Sequence, residues 1–180
     1  MRRHPAVTLG LALAFAGLMA LSARLDIPMH PVPMTMQSWA VLLAGAVLGA
    51  RWGVAAVLVY LAAAAIGLPV LSDGAGGLSP FTGPTAGYLV AFPIAAGLTV
   101  AAASRGLLDR PVAGLAVLFV AHLVLLGLGA AWLARAMGLE AALAAGFTPF
   151  LIGAAVKSAL VLASRWGLMK LWPGLRPVRP

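Results

Sequence analysis

Long apolar stretches alternate along this chain with short segments rich in proline, glycine and charge. A membrane span needs about 17–25 mostly apolar residues. Six stretches are predicted to meet that need, near 5–23, 34–50, 52–68, 86–104, 112–137 and 147–170. The second and third are short and separated only by "GARWG", where Arg51 marks a tight turn at a membrane surface. The expected fold is an all-α integral membrane protein: a six-transmembrane-helix bundle, one membrane domain over 1–180, with an outward-facing ligand pocket. The opening "MRRHPAVTLGLALAFAGLMALSA" has the basic start of a secretory signal, and Ala20 and Ser22 are small enough for a cleavage site. Its apolar run exceeds the 7–15 residues usual for such a signal, so a retained first helix is expected.

The polar breaks set orientation, because Lys and Arg accumulate on the cytoplasmic side. With both termini cytoplasmic, Arg2, Arg3, Arg51, Arg105, Arg110, Arg165, Lys170, Arg176 and Arg179 fall inside, and only Arg24 and Arg135 flank the outside. Cleavage of the first segment would leave five spans, and the later charges fit that arrangement too. The two long outer connections are "RLDIPMHPVPMT" and "PVLSDGAGGLSPFTGPT". Their prolines fix φ and remove donors, giving semi-rigid loops able to fold over a cavity mouth.

Composition supports the membrane reading. Of 180 residues, 63% are hydrophobic and 9% charged, against about 25% charged in a soluble domain; the mean hydropathy is +1.05. The formal charge of +8 is no nucleic-acid footprint, since the basic residues sit at the ends of apolar runs. The chain has no cysteine, which excludes disulfides and thiolate metal sites. It has no phosphate-binding loop, nucleophile elbow or zinc-protease helix. An enzyme reading would rest on isolated Ser158 or His122.

One charge breaks the pattern. In "TPFLIGAAVKSALVLASRWGLM", Lys157 lies among aliphatic residues, roughly 13 Å below Thr148 at helical rise. A central lysine costs roughly 2.5–3.5 kcal/mol on insertion scales. The acids are Asp26, Asp73, Asp109 and Glu140, and none lies in a span. Lys157 therefore either bonds backbone carbonyls in a polar crevice or awaits the carboxylate of an external ligand. In "SDGAGGLSPFTGPTAGYLVAFP", Gly76 and Gly77 permit close backbone approach, while Ser72, Asp73, Thr85 and Tyr88 supply polar groups. This segment is a binding lid or a flexible loop. In "VPMTMQSWAV", Thr35 and Gln37 stand at a helix entrance with Met34, Met36 and Trp39, as ligand contacts or as an interfacial helix start. His122 is read as a packing residue, His4 and His30 as exposed, and no metal constellation is found. Ala12, Ala16 and Ala20 form a small-residue stripe, for packing inside the bundle or for docking a second membrane protein.

The stretch from "VPMTMQ" through "AIGLPV" and "GG" to "GPTAGYLVAFP" closely resembles the BioY family, the biotin-binding substrate (S) component of energy-coupling-factor (ECF) transporters. "PFLIGAAVK" is a degraded match to that family's Pro-Phe-Leu-Pro-Gly-Asp-x-x-Lys. The resemblance implies an outer biotin pocket in a bacterial cytoplasmic membrane, a transmembrane coupling protein and ABC-type ATPases as partners, and no cofactor or catalytic activity of its own. It places the ligand-binding lysine on Lys157 and the polar loop residue on Asp73; Gln37, Gly76, Gly77, Tyr88 and Phe150 are the further candidate ligand contacts. It places the coupling-protein contact on Ala12, Ala16 and Ala20. The family's acid falls on Ala154 and its second proline on Ile152. Asp73 is then the candidate acceptor for the ureido N–H groups of biotin. The other readings are capture of another small anionic vitamin, and a membrane enzyme.

Overall fold

The structure, a computed structural model, describes residues 5–175. Arg2, Arg3, His4, Arg176 and Arg179, used above for orientation or exposure, lie outside the described residues. The described chain is mostly helical. Its helices are α1 (Pro5–Ser22), α2 (Gln37–Leu48), α3 (Ala50–Ala65), α4 (Ala86–Ser104), α5 (Pro111–Met137), α6 (Leu139–Gly146) and α7 (Phe150–Leu171). Four of them, α1, α4, α5 and α7, are long and apolar enough to cross a membrane, whereas α2 and α3 are shorter apolar helices.

The structure departs from the expected pattern in three places. The first long connection is not wholly irregular: β1 (Asp26–Ile27) and β2 (Met34–Thr35) pair antiparallel, with Asp26 opposite Thr35 and Ile27 opposite Met34. The intervening proline-rich segment folds back, and Met36 N–H continues the pairing to the Leu25 carbonyl at 2.9 Å. The pivot between α2 and α3 is Gly49, at φ 85°, a left-handed conformation that glycine adopts without strain. Arg51 lies in the first turn of α3. The connection before the last expected span holds a short helix, α6, which ends at Gly146, and α7 begins after Pro149, whose fixed φ suits a helix start.

Helix α2 is the centre of the bundle. Every residue in it except Trp39 is buried, as expected of a helix apolar on all sides. It packs against α1, α3, α4 and α7, while α5 packs against α4, α6 and α7. At Gly45 the backbones of α2 and α4 approach so closely that a Cβ would overlap the Ala96 carbonyl. Small residues admit such approach between helices that gain no hydrophobic advantage over lipid.

Arg165, placed above among the inner-side charges, is buried at 2% exposure. Its guanidinium donates to the carbonyls of Ala46 (3.3 Å) and Leu108 (2.9 Å) and to Asp109 Oδ1 (2.8 Å). The planar, many-donor fork suits this three-way bridge. It joins the end of α2, the 107–109 turn and α7.

Candidate functional site

At the opposite end from Arg165 the loops enclose a cavity of about 500 Å³, within the range of roughly 300–1,000 Å³ typical of small-molecule sites. The first connection, the start of α2, loop 71–85, α4, α5 and α7 all contribute to its wall. Leu89, Phe92, Leu125, Leu126 and Phe150 make most of that wall apolar.

Lys157 reaches the cavity from α7 and is 8% exposed. Its ammonium donates to the Thr35 carbonyl at 2.8 Å and to Ser38 Oγ at 3.2 Å. Among the described residues the one salt bridge joins Arg165 and Asp109, so no carboxylate neutralises Lys157. An ammonium has three donors, and these two bonds leave one. Both readings of Lys157 thus meet in one geometry: it bonds a backbone carbonyl and also faces a ligand-sized space.

The other expected contacts fall into two groups. Gln37, Asp73, Tyr88 and Phe150 line the cavity. Gln37 is 5% exposed and held on both sides, accepting from Thr35 Oγ1 (3.3 Å) and donating to Tyr60 Oη (2.8 Å). Asp73 stands at φ 55°, in the left-handed region that Asp tolerates better than most residues. Tyr88 donates to the Gly146 carbonyl at 2.8 Å, and its ring fills a slot where a Cβ on Gly129 would overlap it.

Gly76 and Gly77 are absent from the cavity wall. Gly76 packs on the Leu68 carbonyl where a Cβ would overlap, and Gly77 N–H donates to the Ala64 carbonyl at 2.7 Å, so both pin the loop to the end of α3. Arg24 Nη2 bonds the Pro69 carbonyl at 2.7 Å, and Trp132 Nε1 bonds the Gly83 carbonyl at 3.0 Å. Segment 66–85 is therefore fastened along its length.

The small-residue stripe on α1 also needs correction. Ala12 is 2% exposed and belongs to the packed core, while Ala16 and Ala20 are half-buried against it. The stripe lets α1 approach α2 and α3, so Ala12 is not accessible to a partner. Ala6, Gly10, Ala14 and Gly17 are the small residues of α1 that are exposed.

His122 and Ser158 form a buried pair beside the cavity, with Nδ1 and Oγ 3.0 Å apart. Ser158 donates to the Ala154 carbonyl and Nδ1 also faces the Leu118 carbonyl, so the Nδ1 proton serves both acceptors. Ala154 itself is 2% exposed.

Sequence reasoning missed Ser38, Tyr60 and Trp132. Tyr60 carried a usable signal, because a buried phenol needs a partner for its hydroxyl. Ser38 and Trp132 carried none, since their roles depend on contacts far away in sequence.

The model of the BioY family matches residues 1–174. A probable biotin transporter BioY of Pyrococcus horikoshii is 37% identical over 157 residues, covering 86% of this chain and 93% of that protein. A biotin transporter of Lactococcus lactis subsp. cremoris is 34% identical over 148 residues, covering 81% of each chain. The crystal structure of an S component for biotin from an ECF-type ABC transporter superposes with a TM-score of 0.83 at 28% identity, over 94% of this chain and 95% of that one. A match that runs through both halves of the cavity wall leaves one assignment: this multi-pass membrane protein is a member of the BioY family.

Proposed function

We propose that the chain captures biotin and brings it across the cytoplasmic membrane of a bacterium as the substrate-specific component of an ECF transporter. Its family and relatives are transporters rather than enzymes. The observation that carries the reading is Lys157, an ammonium with a spare donor and no acidic partner, set in the wall of a largely apolar cavity. Biotin has a carboxylate, an aliphatic tail and a compact ureido ring. Lys157 suits the first, Leu125, Leu126 and Phe150 suit the second, and Asp73 with Gln37 offers acceptors for the ring's N–H groups.

Helices α1 to α5 and α7 then supply six spans of a single membrane domain, with both termini cytoplasmic and the cavity facing out. The transmembrane coupling protein and its ABC-type ATPases complete the transporter. The coupling protein meets the lipid-facing side of α1 at Gly10, Ala14 and Gly17, beside Ala16 and Ala20.

The direct test is calorimetric titration of the purified protein with biotin and with its uncharged amide. Tighter binding of biotin supports the reading, and equal binding removes the carboxylate role of Lys157. Competition by other small anionic vitamins tests the second reading, because a lysine alone does not choose among carboxylates. Asp73→Ala is expected to abolish biotin binding, and native affinity in that variant would rule out its role at the ureido ring.

A further inference from the structure

A chain of hydrogen bonds leads from Lys157 to the base of the loop over the cavity. The Thr35 carbonyl accepts from Lys157 Nζ at 2.8 Å. Thr35 Oγ1 donates to Gln37 Oε1 at 3.3 Å, Gln37 Nε2 to Tyr60 Oη at 2.8 Å, and Tyr60 Oη to the Val70 carbonyl at 3.0 Å. The direction is fixed at its far end. A carbonyl only accepts, so the Tyr60 proton goes to Val70, its oxygen must accept, and Gln37 must turn its amide nitrogen toward it. Aligned donors in a low-dielectric interior polarise and strengthen one another. Tyr60 is 1% exposed and does not line the cavity. Val70 leads directly into Leu71 and Asp73, which do.

We propose that Tyr60, without touching the ligand, is a positioning residue that ties the loop to Lys157 through Thr35 and Gln37. The loop's hold on the ligand then depends on the negative charge the ligand presents to Lys157. This rests on the carboxylate reading above and deepens it. An anion that draws on the ammonium changes its grip on the Thr35 carbonyl, and the Thr35 segment is the one that holds Gln37 against Tyr60. A ligand without that charge leaves the relay at rest.

The experiment measures the ratio of biotin to biotinamide affinity in the wild type and in Tyr60→Phe, with a melting curve to confirm folding. Tyr60→Phe removes both hydroxyl bonds and leaves every cavity-lining side chain in place. The expected result is a ratio contracted about fivefold, with biotin losing more than its amide, because residues sharing a network are non-additive. If both ligands weaken by the same factor, Tyr60 is a structural support only and the inference is wrong. If the wild type itself shows no preference for biotin, the carboxylate reading fails, and the inference fails with it. Should Tyr60→Phe not fold, Thr35→Val breaks the next link while keeping the carbonyl that holds Lys157. The same contraction is expected there, and an unchanged ratio overturns the proposal.

Discussion

Lys157 stood out in the sequence because an ammonium within an aliphatic run has no bland explanation, and its cavity position follows from the same anomaly. Removing it is expected to lower biotin affinity about a hundredfold or more, the usual scale for truncating one partner of a desolvated charge pair. Titration of Lys157→Ala against the wild type, with helicity checked by circular dichroism, measures this. Asp73 was legible as a polar loop residue, but its left-handed backbone was not. Asp73→Asn is expected to fold as well as the wild type and to retain binding within about tenfold, since Asn tolerates that conformation and its amide oxygen still accepts. Asp73→Val is expected to be destabilised, because a β-branched side chain is a true outlier at positive φ. Melting temperatures of the two variants separate backbone strain from lost recognition. Ser38 was hidden because what it does is set by a partner brought to it only by folding: it meets a lysine 119 positions away.

Helix positions were readable wherever an apolar run ended in proline or glycine, and α4 occupies the stretch expected for it, 86–104. The burial of Arg165 was not legible, because a flanking charge and a buried one look alike at the end of an apolar run. The Leu108 and Ala46 carbonyls that distinguish them lie on other elements. Arg165→Leu is expected to destabilise the fold by about 1–3 kcal/mol, the cost of leaving a buried polar group unpaired. Biotin affinity of the folded fraction should be unchanged, since Arg165 is not part of the cavity wall. Thermal unfolding and ligand titration of the same sample check both halves. Gly129 is a second such position: its missing side chain makes room for the Tyr88 ring. Gly129→Ala is expected to cost about 1–3 kcal/mol through overpacking and to weaken biotin binding as well, because Tyr88 lines the cavity.

Across the whole molecule, the positive-inside pattern makes a topological forecast that the absence of cysteine renders easy to check. A single cysteine in place of Asp26 is expected to react with a membrane-impermeant maleimide added to intact cells, and one in place of Arg105 to react only after lysis. The reverse pattern would turn the cavity toward the cytoplasm. Helix α2 has a consequence for how the protein is made. Its 12 residues extend only about 18 Å, against about 30 Å of hydrocarbon, and Gly49 joins it directly to α3. A nascent chain ending at Gly49 therefore has no second segment able to hold the bilayer by itself. This short piece is thus expected to enter the lipid only once α3 has emerged, the two inserting together as a pair.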